Sequence, residues 1–265
     1  MTEPLEVKWV EALLTTAYVG RALAYYPLID STNRVAKELA EQSTPDGTLV
    51  IADAQSAGRG RLGRQWISPP NANLLMSLVF YPPLLPGQAQ RMTTVCALAA
   101  ADGIARATGL QAQLKWPNDI LLGGVKAGGI LTELGLRGEA LAYTVVGIGL
   151  NVNLERDQLP AELVSIATSI AQELGHPTRR EPLLAAILGS IEERYERLKA
   201  GDSPMGEWAA RLATLGQQVQ VSDAHGEWRV EGVAEAVDED GALLLRLADG
   251  SQRRILVGDV TLRRG

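Results

Sequence analysis

At 265 residues, 46% hydrophobic and 21% charged, the chain has ordinary globular composition and enough length for one large domain, or a large and a small one. Its formal net charge of −6 argues against general affinity for nucleic acid or anionic membrane, and no apolar run reaches membrane-spanning length. The single cysteine, Cys96, excludes an intrachain disulfide and fits a reducing cytoplasm. The acidic opening Met1-Thr2-Glu3-Pro4 lacks a signal-peptide pattern, and two distant histidines, His176 and His225, make no zinc-ligand spacing.

In chain order, apolar spacing at Val10, Leu13, Leu14 and Ala17 predicts a helix from Leu5 to Ala24. A short apolar run, Tyr25 to Ile29, leads into Asp30-Ser31-Thr32-Asn33, a set of N-cap candidates before a helix carrying Val35, Ala36, Leu39 and Ala40 on one face. A turn at Thr44-Pro45-Asp46-Gly47 precedes a strand over 48–54, and a second strand spans 73–81. Residues 90–108 read as a long, alanine-rich, mostly buried helix.

Strands are then predicted over 113–116, 120–122, 130–136 and 140–150, with Gly123-Gly124 as a hairpin turn and Arg137-Gly138-Glu139 as another. Two or three helices follow, one from Glu181 to Lys199. A boundary near Leu215-Gly216 separates residues 1–214 from 215–265, a run of short alternating segments with turns at 223–226, 239–241 and 248–250. Central hairpins, outer helices and no regular βαβ rhythm predict an α+β main domain with a mixed or antiparallel sheet, followed by a small β-barrel.

The most informative stretch is Gln55-Ser56-Ala57-Gly58-Arg59-Gly60-Arg61-Leu62-Gly63-Arg64-Gln65-Trp66. Glycines let backbone approach a ligand, and arginines present planar donors suited to carboxylate and phosphate, so the stretch reads as a loop that closes over an anion. Gly58 to Gly63 also satisfies G-x-G-x-x-G, but context rejects a dinucleotide fingerprint. No helix can start before Pro69-Pro70, and no acidic residue stands about 20 positions on. There is no P-loop sequence either. The chain is poor in lysine, with only Lys8, Lys37, Lys115, Lys126 and Lys199, and two of these fall in glycine- or proline-marked motifs.

Those motifs are Lys115-Trp116-Pro117-Asn118-Asp119-Ile120 and Lys126-Ala127-Gly128-Gly129-Ile130-Leu131. Together with Asp30 to Asn33, the glycine-arginine loop and Gly147-Ile148-Gly149-Leu150-Asn151-Val152-Asn153, they resemble in order and spacing the biotin protein ligases. The resemblance covers roughly residues 25 to 265. It implies a class II synthetase-like catalytic domain and an SH3-like C-terminal barrel. It also implies an activity: MgATP-dependent joining of biotin to AMP, then acylation of one lysine of a biotin carboxyl carrier domain.

On that resemblance Ser31, Thr32, Asn33 and Gln55 face the biotin head, and Arg59, Gly60 and Arg61 close on the carboxylate and acyl phosphate. Lys126 bridges biotin carboxyl and α-phosphate. Trp66 is an adenine platform, and Lys115, Asn118 and Asp119 lie on the nucleotide and metal side. Arg59, Arg61 and Lys126 are the catalytic candidates, and metal ligands are not assigned. Simpler structural roles stand beside these: helix capping for Ser31 and Thr32, core packing for Trp66, a turn for Asp119, strand-end roles for Asn151 and Asn153, a solvated Arg64.

Some family members carry an N-terminal helix-turn-helix domain and repress transcription. Only 29 residues precede Asp30, so no repressor function and no specific DNA binding are expected. Homodimerisation is left open. A lipoate or octanoate ligase or transferase on the same fold, and a non-catalytic sensor of biotin or nucleotide, are the competing readings.

Overall fold

The computed structural model describes residues 3–67, 69–223 and 228–262. The elements of the first part are α1 (Val7–Leu13), β1 (Leu23–Tyr26), α2 (Thr32–Glu41), β2 (Thr48–Ala52), β3 (Leu74–Phe80), α3 (Gln90–Thr108), β4 (Gln113–Lys115), β5 (Asp119–Leu122), β6 (Val125–Arg137), β7 (Ala140–Leu150), α4 (Ile170–Leu174), α5 (Arg180–Lys199) and α6 (Met205–Arg211). They are followed by β8 (Gln218–Ser222), β9 (Arg229–Val237), β10 (Leu243–Arg246), β11 (Gln252–Ile255) and β12 (Asp259–Leu262).

Seven strands form one mixed sheet in the order β1-β2-β3-β7-β6-β5-β4, parallel only between β1 and β2. Alternation along the strands sends Leu49, Ile51, Leu74, Met76, Leu78, Phe80, Ile130, Val146 and Ile148 into the core shared with α3 and α5. Val50, Val79 and Val145 point the other way and pack under Val35, Ala36 and Ala40 of α2. Alanines and a glycine bring α3 and α5 together closely: a Cβ at Gly103 would lie 2.4 Å from Ile187 Cγ1. α3 ends at Thr108, as expected, and is capped by Gly109, which takes a left-handed φ of 78°.

The helix expected from Leu5 to Ala24 exists only as α1. Beyond Leu14 the backbone is held by side chains from elsewhere. The Glu192 carboxylate accepts the N–H groups of Ala17, Tyr18 and Val19, and Arg21 donates to the carbonyls of Thr16 and Leu14. Leu23–Tyr26 is a strand because it adds in parallel to β2. β6 starts at Val125, earlier than predicted, since Gly128 and Gly129 pair in the ladder rather than forming a loop.

The second sheet has the order β11-β10-β9-β8-β12 and is antiparallel throughout. No ladder joins β11 to β12, so the predicted SH3-like unit is a five-stranded sheet and not a hydrogen-bonded closed barrel. The segment 256–258 carries the chain from one edge strand to the other without pairing. The turn predicted at 223–226 lies, from Ala224 onward, outside the described residues, as do His225 and Ser68. The two sheets meet around Trp116, which is fully buried and donates its indole N–H to the Gly241 carbonyl at 3.0 Å.

A buried ion pair ties the N-terminal segment to the root of the glycine-arginine loop. Arg180 Nη1 stands 2.8 Å from Asp53 Oδ1, and the guanidinium also donates to the carbonyls of Asn73 and Glu3. Asp53 further accepts the Leu5 N–H and the Tyr25 hydroxyl, and burial together with that hydroxyl bond pushes the Tyr25 phenol up to about 12. The Asn71 N–H closes on the Asp53 carbonyl at 3.0 Å, so the two ends of the loop meet at this hub.

A second network joins α3, α5 and α6: Arg194 and Arg211 both pair with Asp102 and with Glu207. Burial raises the Asp102 carboxyl, but hydrogen bonds from Arg211 and Arg194 outweigh it. The Arg194 bond likewise holds Glu207 down. Both carboxyls therefore titrate below their unfolded values, and the stability they contribute is complete above the ordinary carboxylate range and lost as pH falls through it. Thermal melting is expected to be flat toward neutral pH and to drop below about pH 4, with a shallower drop in Asp102→Asn. Asp46, raised by burial, titrates in the opposite sense, so the comparison is between variant and parent. Identical acid profiles for the two proteins would remove this network as the source.

Candidate active site

The site lies on the α2 face of the large sheet, and its floor is made of small residues. Ser77 on β3, Gly147 and Gly149 on β7 and Gly129 on β6 share that face, with Ser77 opposite Gly147 and Gly149 opposite Gly129. The spaces above them are used. A Cβ at Gly147 would lie 2.2 Å from Asn33 Oδ1, and one at Gly149 would lie 2.6 Å from the Trp66 indole. Glycine at 147 and 149 is thus required by close approach, while Ile148 between them faces the core.

At one end of this floor the predicted biotin-side residues converge. Ser31 is the N-cap of α2 but makes no side-chain capping bond. The Gln55 carbonyl oxygen accepts from the Thr32 N–H at 2.8 Å and the Thr32 hydroxyl at 3.1 Å, and the Gln55 amide nitrogen has no hydrogen bond among the described residues. Ser77 donates its one hydroxyl proton to Asn33 Oδ1 (2.6 Å), and its Oγ lies 2.8 Å from Thr32 Oγ1. Asn33 donates in turn to the Leu131 carbonyl and to Glu133, which also pairs with Lys37. The Asn33 amide is fully engaged within the wall of the site. Ser31, Thr32, Asn33 and Ser77 are all buried, so this is a rigid polar corner rather than a set of surface hydroxyls.

The glycine-arginine loop is folded back on itself. The Gly60 N–H bonds the Arg64 carbonyl (2.7 Å), the Trp66 N–H bonds the Gly58 carbonyl (2.9 Å), and the tip turns through Leu62 and Gly63 at positive φ. No α-helix follows Gly63, in keeping with the rejected dinucleotide fingerprint. Trp66 lies against Gly149, with Lys126 Nζ 5.8 Å from its ring centroid.

Beyond Trp66 stands the charged cluster. Lys126 Nζ is 2.5 Å from Asp119 Oδ1, and Asp119 sits opposite Lys115 in the β4–β5 hairpin. Asn118 is pinned to β6 by two bonds with Ile130, so its Oδ1 can accept from Arg61 Nη1 at 3.3 Å. Burial lowers the pKa of Lys115 and of Arg61, against the nearby carboxylates Asp119 and Asp259. Four cations, Arg61, Arg64, Lys115 and Lys126, thus surround two carboxylates, leaving an excess of positive charge suited to an anionic ligand.

Arg59 stands apart. It is exposed, and its guanidinium has no hydrogen-bond or ion-pair partner among the described residues, although its charge is felt by Glu133. Asn151 and Asn153 have strand-end roles, with side chains bonded to the backbone of Thr168 and Thr178. Arg64, expected to be solvated or to pack on the loop, is 66% exposed and pairs with Asp259. Residues not singled out from sequence are Ser77, Glu133 and Asp259. The first two could have been found from strand alternation, Ser77 opposite Gly147 and Glu133 four residues beyond Gly129 on the same strand face, whereas Asp259 carries no local signal. A separate groove of about 690 Å³ beside α5, lined by Asn153, His176, Thr178 and Arg180 among others, shares no residue with this site.

No group of three or more His, Cys, Asp or Glu able to hold a metal ion occurs among the described residues. Asp119 and Asp259 are each paired with cations.

A mixed sheet with a glycine floor, a polar corner and a cationic cluster offers a site for a small polar ligand beside an anion. Residues 25–151 match the biotin/lipoate A/B protein ligase family, and residues 214–263 match the biotin protein ligase C-terminal domain. The chain is 37% identical over 251 residues to the bifunctional ligase/repressor BirA of Bacillus spizizenii, covering 94% of this chain and 76% of that protein. It is 35% identical to the biotin–[acetyl-CoA-carboxylase] ligase of Paracoccus denitrificans, covering 84% and 93% of the two chains. The fold superposes with a TM-score of 0.77 on the Aquifex aeolicus biotin protein ligase solved in complex with biotin and ATP, at 30% identity and over 92% of this chain and all of that one. The chain belongs to the biotin protein ligase family.

Proposed function

We propose that this protein activates biotin with MgATP to biotinyl-5′-AMP, releasing pyrophosphate, and transfers the biotinyl group to a lysine of a biotin carboxyl carrier domain. Family membership supports the reaction, and the convergence of Arg61, Lys115, Lys126 and Asn118 beside the polar corner is the observation that carries it. In the first step a biotin carboxylate oxygen attacks the α-phosphorus and the bond to pyrophosphate breaks. In the second the carrier lysine amine attacks the acyl carbon, loses a proton, and AMP leaves.

Two mutually repelling anions must meet, and the cationic cluster lowers that barrier by holding both and by stabilising charge that builds on the α-phosphate. Ser31, Thr32 and Gln55 take the ureido end, with Gln55 Nε2 available to a carbonyl and Asn33 fixing the wall behind it. Lys126 sits between that pocket and the nucleotide side, and Trp66 supplies an aromatic surface over the glycine floor. Arg59, Gly60 and Arg61 cover the reacting groups. Mg2+ enters with the triphosphate, held mainly by phosphate oxygens and water. Residues 1–214 act as the catalytic domain and 215–265 as its C-terminal partner. No helix among the described residues is long and apolar enough to cross a membrane.

Purified protein incubated with ATP and either biotin or lipoate, followed by pyrophosphate release and by labelling of a carrier domain, tests the reading. Biotin-dependent release and labelling are expected, and release with lipoate but not biotin would overturn it.

A further inference from the structure

Five polar side chains stand in one line behind the polar corner. Lys37 Nζ lies 3.0 Å from Glu133 Oε1, and Glu133 Oε2 accepts from Asn33 Nδ2 at 2.8 Å. Asn33 Oδ1 lies 2.6 Å from Ser77 Oγ, which is 2.8 Å from Thr32 Oγ1. The line ties α2 to β6 and β3, and the Asn33 amide fills the space that a Cβ at Gly147 would need.

Each proton in this line has a fixed direction. Burial raises the Glu133 carboxyl, but the bonds from Asn33 and Lys37 and the charge of Arg59 hold it below the usual carboxylate range, so it is ionised and only accepts. The Leu131 carbonyl, 3.2 Å from Asn33 Nδ2, also only accepts. The Asn33 amide is therefore turned with its NH2 toward β6 and its oxygen toward Ser77. The reverse orientation would set that oxygen against two acceptors. Asn33 Oδ1 takes the single Ser77 proton. The Gln55 amide is oriented likewise, because its oxygen accepts the Thr32 N–H at 2.8 Å. Thr32 Oγ1 then has two acceptors beside it, Ser77 Oγ and Gln55 Oε1, and its own proton stays within the wall. Its lone pairs are left for a ligand N–H.

The charged end of the line sets this polarity. Without Glu133, the Leu131 carbonyl alone opposes rotation of the Asn33 amide. A rotated amide donates to Ser77 and sends the Ser77 proton on to Thr32 Oγ1, where it competes with the ligand.

We infer that Glu133 is a positioning residue for the biotin head: held by Lys37, it fixes the direction of the hydrogen bonds through Asn33 and Ser77, so that Thr32 meets a ureido N–H as an acceptor while the Gln55 amide meets the ureido carbonyl as a donor. This rests on the reading of Thr32 and Gln55 as the ureido side of the site. It also supplies selectivity, since a dithiolane ring offers neither an N–H nor a carbonyl.

Initial rates of pyrophosphate release test it, with ATP, biotin and two biotin analogues in which a ring oxygen replaces one or the other ureido N–H. The parent is expected to favour biotin over at least one analogue by about 100-fold in kcat/KM, because that analogue leaves the Thr32 acceptor unmatched. Glu133→Ala should raise the KM for biotin about ten-fold, leave that for ATP within about two-fold, and narrow the ratio to about ten-fold. Its Tm should fall little, because the Lys37 pair is partly exposed. Glu133→Gln, whose amide oxygen still accepts from Asn33, should restore both KM and ratio. In a Thr32→Val background, Glu133→Ala should leave the ratio unchanged. If Glu133→Ala keeps the parent's ratio, or raises both KM values equally, Glu133 is a general support and the inference falls while the biotin reading stands. If the parent discriminates against neither analogue, Thr32 is not the acceptor and the inference falls in the same way. A parent without biotin-dependent release would remove the reading and the inference together.

Discussion

Replacing Lys126 with alanine is expected to slow biotinyl-AMP formation by about 10²–10³-fold, the usual cost of deleting one preorganised donor at a site of developing charge. Lys126 is the cation placed between the Trp66 surface and Asp119, and among the described residues no other lysine or arginine forms an ion pair with Asp119. Its side chain is part exposed and its ion pair with Asp119 is not enclosed, so the fold should survive the change. Single-turnover pyrophosphate release at saturating ATP and biotin separates the chemical step from binding. A parent-like rate in a folded Lys126→Ala protein would show that the charge acts elsewhere. Lys126→Arg tests geometry against charge: the guanidinium keeps the positive charge but is planar and longer, and should restore only part of the rate.

Asp53→Ala is expected to destabilise the protein by about 3–5 kcal/mol, because it strands a buried guanidinium. The Arg180 side chain is 5% exposed, and without Asp53 its remaining partners are the carbonyls of Asn73 and Glu3. Denaturant melts measure the loss. Replacing both members, Asp53→Leu with Arg180→Met, should recover much of it, since no uncompensated charge then remains. A single-variant cost below about 1 kcal/mol would mean that Arg180 finds solvent or another anion. The position of the pair adds a functional readout. Asp53 stands two residues before Gln55, whose side chain holds Thr32, so loss of the Arg180 anchor in the double variant should weaken biotin binding even where stability is regained.

Local pattern revealed most of the fold and the motifs of the site, and the reasons for the exceptions are physical. α3 is legible because alanine periodicity and a terminal glycine agree with each other and with its burial. The segment after Leu14 is not, since its backbone groups are satisfied by Glu192, more than 170 residues away. Glycines at 128 and 129 look like a break in sequence and are strand residues in the structure, because the pairing β7 presents its own glycine opposite Gly129. The charged motifs could be read because lysine is scarce and sits beside glycine or proline. Asp259 could not, because an aspartate at the start of a strand resembles any other until the second sheet brings it to Arg61.

The glycines of β7 carry a further consequence. Gly147 and Gly149 face the site while Val146 and Ile148 face the core. Sliding β7 by one residue against its neighbours would bring isoleucine and valine up into the space now held by Trp66 and Asn33, and would leave glycines as voids beneath α3 and α5. The ligand cavity and the strand register are thus a single specification: a chain that misaligned this hairpin would lose its pocket and its hydrophobic interior together, so the errors most damaging to activity are also the ones that folding itself rejects.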